Sequence, residues 1–208
     1  MIFIWKEKSK VKRYSQEQIE ELVQILKNDG VISVPTDTVY GLCSRMYSKN
    51  AREKIMHIKE RPSSKSLPIM CADEEQIKSI AIVGEREKKI INNFMPGPIT
   101  LVLLKGPNLP EYVNEGSVEI GIRMATSEPL KRLIKELGEP ICMTSANKSG
   151  KPACTTSEEV EKVFPELDGI MIGDVIFKES STIVDCTSNE LKIQREGPIS
   201  MEQIKEVL

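Results

Sequence analysis

Val31-Ile32-Ser33-Val34-Pro35-Thr36-Asp37-Thr38-Val39-Tyr40-Gly41-Leu42 decides the fold of this chain. Val31 to Val34 is a short apolar run of strand length, rich in β-branched residues. Pro35 ends it, because proline has no amide hydrogen to give to a sheet ladder. Thr36, Asp37 and Thr38 follow at once, two hydroxyls flanking a carboxylate. In open α/β sheets, ligands bind just beyond strand ends. The same three residues also suit a plain turn in which Thr and Asp bond local backbone. Tyr40 suits either a flat ligand or a core position with its hydroxyl satisfied.

Helical signals lie on both sides of this stretch. Ser15-Gln16-Glu17-Gln18 reads as a capping box. Ile19, Leu22, Val23 and Leu26 follow at helical spacing, and Gly30 is the stop. The spacing of Ala51, Ile55 and Ile58 predicts a helix over 51–60. Asp73 suits the cap of a further helix, and 85–94 reads as another. Pro96-Gly97-Pro98 breaks that helix before a strand over 99–104. Ile120, Ile122 and Met124 alternate as a strand does. Ser127 caps a helix that buries Leu130, Leu133, Ile134 and Leu137 and ends at Gly138. A strand over 140–143 delivers Thr144-Ser145. Further strands are expected at 169–172, 182–186 and 191–194, and Ser200 with Gln203 caps a last helix. Helices and strands mixed in this way predict one α/β domain on a mixed, twisted sheet. The reading gives a single domain over 1–208 with its core over about 15–208.

Composition narrows the function. With 208 residues, 39% hydrophobic and 29% charged, the chain can bury a sizeable core and is not of the disordered class. No apolar run reaches membrane-spanning length. Met1-Ile2-Phe3-Ile4-Trp5 turns basic at once, the reverse order of a signal peptide, so a cytoplasmic location without membrane partners is expected. The five cysteines (Cys43, Cys71, Cys142, Cys154, Cys186) are odd in number and form no C-x-x-C pair. They read as buried reduced thiols rather than zinc ligands or disulfides, and no protein-held metal is expected. G-x-S-x-G, H-E-x-x-H, G-x-x-x-x-G-K-[ST] and G-x-G-x-x-G are all absent, which removes the usual support for serine hydrolase, zincin, P-loop and Rossmann readings. His57, the single histidine, reads as packed or solvated.

Charge is uneven despite a net of −2. Residues 1–13 carry a net +4 and residues 45–65 a net +5, leaving −11 for the remainder. Such blocks are commonly solvated surface. The second block contains Lys59-Glu60-Arg61-Pro62 and Lys65. A segment that turns at this point lets Lys59 and Arg61 reach one anion, Arg as a bidentate clamp and Lys as a point charge. The competing reading is an exposed basic helix end, favourable against the helix dipole. The block as a whole is expected to form a positive cleft or a lid. Arg123, in an otherwise apolar strand, requires either the strand's end or an anionic partner. Thr144-Ser145-Ala146-Asn147 leaves a strand with small hydroxyl and amide groups, a ligand loop or a polar turn.

These segments together resemble the YrdC/Sua5 family. The resemblance rests on Pro35 to Leu42, Lys59-x-Arg61-Pro62, Pro96-Gly97-Pro98-Ile99-Thr100, Arg123, Ser145-x-Asn147 with Ser149-Gly150, Ser181 to Asp185, and Arg195-Glu196-Gly197, in order over nearly the whole chain. It resembles the short, TsaC-type members, which lack the extra C-terminal Sua5 domain. The resemblance implies a sheet curled around a large positively charged cavity. It implies threonylcarbamoyl-AMP synthase activity, with L-threonine, bicarbonate and ATP as substrates and Mg2+ accompanying the nucleotide. The product would pass to the transferase proteins that make t6A in tRNA, with tRNA itself a further partner to test. Carried onto this chain, Lys59 and Arg61 match the catalytic cations. Those two with Lys65, Ser145, Asn147, Thr155, Ser181 and Arg195 match ATP contacts, and Thr36 and Arg123 match threonine contacts. Three departures bear on the threonine pocket: Ser66-Leu67 where Pro-Leu is usual, Met70 where histidine is frequent, and Met124-Ala125 where an apolar-proline pair is frequent. Two competing readings are a double-stranded RNA or tRNA-binding module without this activity, and a paralogue using another carbamoyl donor such as carbamoyl phosphate.

Overall fold

The computed structural model describes residues 11–60, 66–177 and 179–208. In chain order the elements are β1 (Arg13–Tyr14), α1 (Ile19–Lys27), β2 (Ile32–Pro35), β3 (Tyr40–Arg45), α2 (Lys49–Ile58), β4 (Ile69–Cys71), α3 (Glu74–Ile80), α4 (Glu85–Phe94), β5 (Ile99–Leu104), β6 (Glu119–Met124), α5 (Glu128–Leu137), β7 (Ile141–Ser145), α6 (Ser157–Val163), β8 (Gly169–Met171), β9 (Thr182–Asp185), β10 (Lys192–Arg195) and α7 (Met201–Glu206). Among the described residues the strands form one sheet in the order β1-β8-β2-β3-β7-β4-β6-β5-β9-β10. Parallel pairs (β1–β8, β2–β8, β4–β6, β5–β9) are combined with antiparallel ones, so the sheet is mixed, as the sequence predicts.

Each face of the sheet carries its own apolar layer. Tyr40 and Leu42 of β3 and Cys142 of β7 join one cluster with Ile55, Ile69, Ile99 and Phe164. Cys43, Ile141 and Met143, their chain neighbours, join the other with Ile19, Leu22, Leu26, Leu130, Leu133 and Ile134. Successive strand residues point to opposite faces, so one strand feeds both layers. Full burial on both faces hides β3 from a period-two search; five of its six residues are buried and its sequence, Tyr-Gly-Leu-Cys-Ser-Arg, does not alternate. β3, the three-residue β4 and the two-residue β1 are strands that the sequence reading does not place, and α6 is a helix it does not place.

Most local signals hold. Ser127 accepts from Leu130 N, and Gly138 closes α5 at φ 81°, a left-handed conformation that glycine enters without a Cβ clash. Asp73 and Ser200 cap α3 and α7. The box at Ser15 is half made: Ser15 N donates to Gln18 Oε1 at 3.0 Å, but α1 begins only at Ile19 and its cap residue Gln18 makes no side-chain cap bond. Buried and paired residues also precede residue 15. Val11 is buried, and Arg13 and Tyr14 pair with Ile170 and Met171.

Candidate functional site

β2, β3 and β7 deliver their ends to one side of the sheet, and an open cleft lies there. Its cavity volume is about 180 Å³, below the ~300–1,000 Å³ of typical small-molecule sites, and it opens to solvent. Of the residues expected at the site, Thr36, Arg123, Ser145, Ser181 and Arg195 line it. Thr38, Thr100, Thr144 and Ser180 add hydroxyls, and Val39, Met70, Met143 and Ile183 supply apolar wall.

The turn after β2 organises one wall. Thr36 Oγ1 donates to Val39 O at 2.6 Å and accepts from Thr38 N and Val39 N, both at 3.2 Å. The local-turn reading of Thr36 therefore holds, and it holds at a residue that also faces the cleft. Arg123 reaches this turn from the end of β6. Its Nη1 donates to Thr38 Oγ1 at 3.0 Å and its Nη2 to Asp37 Oδ1 at 2.8 Å. Arg123 thus has both features the sequence left open, a strand end and an anionic partner. Burial lowers its pKa and the charge of Asp37 opposes that shift. Asp37 Oδ2 and Arg123 Nε are buried and carry no hydrogen bond. Tyr40 is core: its hydroxyl donates to Gly173 O at 2.7 Å, and burial raises its pKa.

Lys59 forms the link to the next wall. It caps the C-terminus of α2 and is only 2% exposed, which overturns the exposed basic helix end. Its Nζ donates to Asn147 O at 3.0 Å, to Asn147 Oδ1 at 2.9 Å, and to Ser145 O. Ser145 Oγ donates to the same Asn147 Oδ1 at 2.6 Å. A buried ammonium needs acceptors on all sides, and the Ser-x-Asn turn supplies them. The turn is tied down in its own right, with Ala146 N donating to Tyr40 O at 2.7 Å and Asn147 Nδ2 to Lys151 O at 2.7 Å. Glu60, next in the chain, takes the left-handed conformation at φ 53°.

The far wall belongs to Ser181 and Arg195. Ser181 Oγ lies 2.9 Å from Thr100 Oγ1. Arg195 donates through Nη2 to Ser181 O at 2.8 Å and to Ser181 Oγ at 3.1 Å. Partial burial of its guanidinium, then the positive charge of Arg123, lowers the Arg195 pKa. Two guanidinium groups therefore face one cleft closely enough to feel each other, an arrangement an anion between them relieves.

Other expectations fall elsewhere. Lys59, Asn147 and Thr155 do not line the cleft; Thr155 N and Oγ1 bond Glu159 Oε2 at 2.7 and 3.2 Å, at the start of α6. Arg61 and Lys65 lie outside the described residues. The 45–65 block is not a bare positive surface over its described part. Arg45 pairs with Glu139 at 3.0 Å, Lys49 with Glu53 at 3.9 Å and Lys54 with Asp168 at 2.7 Å, while Arg52 and Lys59 are buried. Nor is its helix a lid, since Ala51, Arg52, Ile55, Met56 and Ile58 of α2 are all buried. Thr38 and Thr144 stand in segments the sequence offers as ligand loops, and Thr100 in a motif that carries the resemblance; Ser180 stands in none of them, and its hydroxyl just before β9 is the one the sequence gives no signal for.

An α/β sheet with an arginine- and hydroxyl-lined cleft beyond its strand ends is a fold with known counterparts. The domain superposes on Pyrococcus abyssi Sua5 complexed with L-threonine with a TM-score of 0.88 at 29% identity, over 95% of this chain and 60% of that one. It superposes on Escherichia coli YciO with a TM-score of 0.85 at 25% identity, over 93% and 99%. In sequence it is 33% identical to the putative threonylcarbamoyl-AMP synthase of Methanocaldococcus jannaschii, over 94% of this chain and 95% of that one. It is 34% identical to the threonylcarbamoyl-AMP synthase of Bacillus subtilis, over 92% of this chain and 56% of that one. The chain thus spans little more than half of the longer relatives. The family profile described as Telomere recombination (Sua5, YciO, YrdC) matches residues 24–197. The chain belongs to the YrdC/Sua5 family.

Proposed function

We propose that this protein is a threonylcarbamoyl-AMP synthase, converting L-threonine, bicarbonate and ATP into threonylcarbamoyl-AMP, pyrophosphate and water for t6A formation in tRNA. The observation that carries the reading is the buried Lys59 ammonium gripping the Ser145–Asn147 turn, whose Ser145 lines the cleft together with Arg123 and Arg195. The names of the Methanocaldococcus and Bacillus relatives support the same activity.

The chemistry sets clear demands. Threonine's amine takes up carbon dioxide, released from bicarbonate with loss of water, and gives a carbamate and a proton. A carbamate oxygen then attacks the α-phosphorus of ATP, a new O–P bond forms, and pyrophosphate leaves with the electron pair of the broken bond. An anion approaches a polyanion, so positioning and charge neutralisation carry the rate. Arg123, steadied by Asp37 and Thr38, would hold the threonine carboxylate, with Thr36 beside it. Ser145, Asn147, Ser181 and Arg195 would receive the nucleotide, and Lys59 with Arg61 and Lys65 would offset phosphate charge. Mg2+ would arrive as part of the nucleotide substrate. Among the described residues no group of three or more His, Cys, Asp or Glu is placed to hold a resident ion. The apolar wall would slow hydrolysis of the carbamate and adenylate.

The test is pyrophosphate release from ATP and bicarbonate with and without L-threonine, with L-serine as control. Threonine-dependent release supports the proposal. Release driven instead by carbamoyl phosphate, or none from a folded protein that binds ATP, refutes it.

A further inference from the structure

Asn114 lies outside the cleft yet joins the elements that form it. It is 1% exposed, in the connection between β5 and β6, at φ 54°. Asparagine is among the few side chains that enter the left-handed region readily. Its Oδ1 accepts two donors, Arg52 Nη1 at 3.3 Å and Leu67 N at 2.9 Å. Its main-chain oxygen accepts from Lys105 Nζ at 2.7 Å, just past β5.

The two donors have separate destinations. Arg52 sits on α2, the helix whose C-terminal cap is Lys59, and Lys59 holds the Ser145–Asn147 turn. Leu67 is buried and precedes Pro68, a residue of the cleft wall whose carbonyl accepts from Met143 N at 2.8 Å. One carboxamide oxygen therefore ties the element bearing the buried lysine to the strand entry that forms the adjoining wall. Arg52 is 8% exposed, and among the described residues it has no carboxylate within ion-pair distance. Asn114 supplies it with a carboxamide acceptor, beside the Cys142 thiol.

We infer that Asn114 is a positioning residue for the nucleotide site, fixing the placement of Lys59 relative to the cleft wall through Arg52 and Leu67. The inference rests on the proposed synthase reading for its kinetic consequence, but the brace itself is a structural claim. Asn114 touches neither the cleft nor the reacting atoms, so it is not a catalytic residue.

The experiment compares Asn114→Ala and Asn114→Asp with the wild type. The aspartate keeps an acceptor oxygen for both donors; alanine leaves the buried Leu67 amide without one and takes the carboxamide acceptor from the Arg52 guanidinium. Amide hydrogen exchange on the protein without ligands reads the brace, and KM for ATP and kcat of threonine-dependent pyrophosphate release read its effect. The expected result is faster exchange at Leu67 and over α2 in the alanine variant, with KM for ATP raised about tenfold and kcat changed less. The aspartate variant is expected to restore both towards wild type. Unchanged exchange or unchanged KM in the alanine variant overturns the inference. If the alanine variant does not fold, an aspartate variant that folds but loses nucleotide affinity overturns it equally. A wild-type protein without threonine-dependent release refutes the synthase reading, while the exchange result still decides whether Asn114 holds the two segments.

Discussion

Arg123 Nη2 donates to Asp37 Oδ1 at 2.8 Å, and the two side chains are only 11% and 5% exposed. The pair couples the end of β6 to the turn after β2 in the wall of the cleft. Removing one partner of such a pair strands the other charge in a dry site, at a cost of about 3–5 kcal/mol. Asp37→Ala and Arg123→Met should each lower stability by that order in urea unfolding. The double variant should lose less than the sum, because neither charge is then left alone. Additive losses would show that the pair is not coupled. Both single variants should also lose threonine-dependent turnover.

Lys59 gives a second expectation, set by its burial. An exposed catalytic lysine could be removed without harm to the fold. Lys59 is buried against three oxygens of Ser145 and Asn147. Lys59→Met should therefore cost about 1–3 kcal/mol of stability as those acceptors lose their donor. Threonine-dependent pyrophosphate release should fall by ~10²–10³, the scale of one lost electrostatic stabiliser. Release at the wild-type rate would remove Lys59 from the chemistry.

The thiols predict an alkaline limit. All five cysteines are buried. Burial pushes Cys142 up to about 11 and Cys186 up to about 12, and raises Cys43 and Cys71 further. Thiols with folded pKa values above their unfolded value of roughly 8.5 favour the folded state fully below that pH. As pH rises towards 11 and 12, the unfolded chain releases protons first, so stability falls. Urea midpoints should decline from about pH 9 upwards, and a thiol reagent at pH 8 should label the unfolded but not the native protein. Rapid labelling of the native protein at that pH would contradict the burial.

Pairing of the central basic block bears on RNA. Arg45, Lys49 and Lys54 already face carboxylates, so few counterions would be released by phosphate contacts on this face. Charge-reversal at Lys49 and Lys54 should leave tRNA affinity, read by fluorescence anisotropy across a salt series, nearly unchanged. A large fall in affinity and a shallower salt slope would restore the RNA-binding reading for this face.

Much of the fold was legible because its signals are local. Ser127, Gly138, Asp73 and Ser200 mark helix ends within a few residues of where they act. Alternation along β6 and the proline break before β5 are likewise read over one element. β3 was not legible, since burial on both faces erases the alternation that marks a half-exposed strand. The local role of Thr155 was not legible for a related reason: a hydroxyl serves a ligand or a helix start equally well until its neighbour, here Glu159, is known.

The sequence by itself determined the element types, the caps, and the order of the chemistry-bearing motifs along the chain. Those depend on backbone preference and side-chain identity over short spans. Only the tertiary structure decided the partners. Lys59 and Ser145 are 86 residues apart and Asp37 and Arg123 also 86, and nothing in either neighbourhood names the other. The sheet order brings them together, and burial then leaves each charge no solvent to turn to except the groups the fold places beside it.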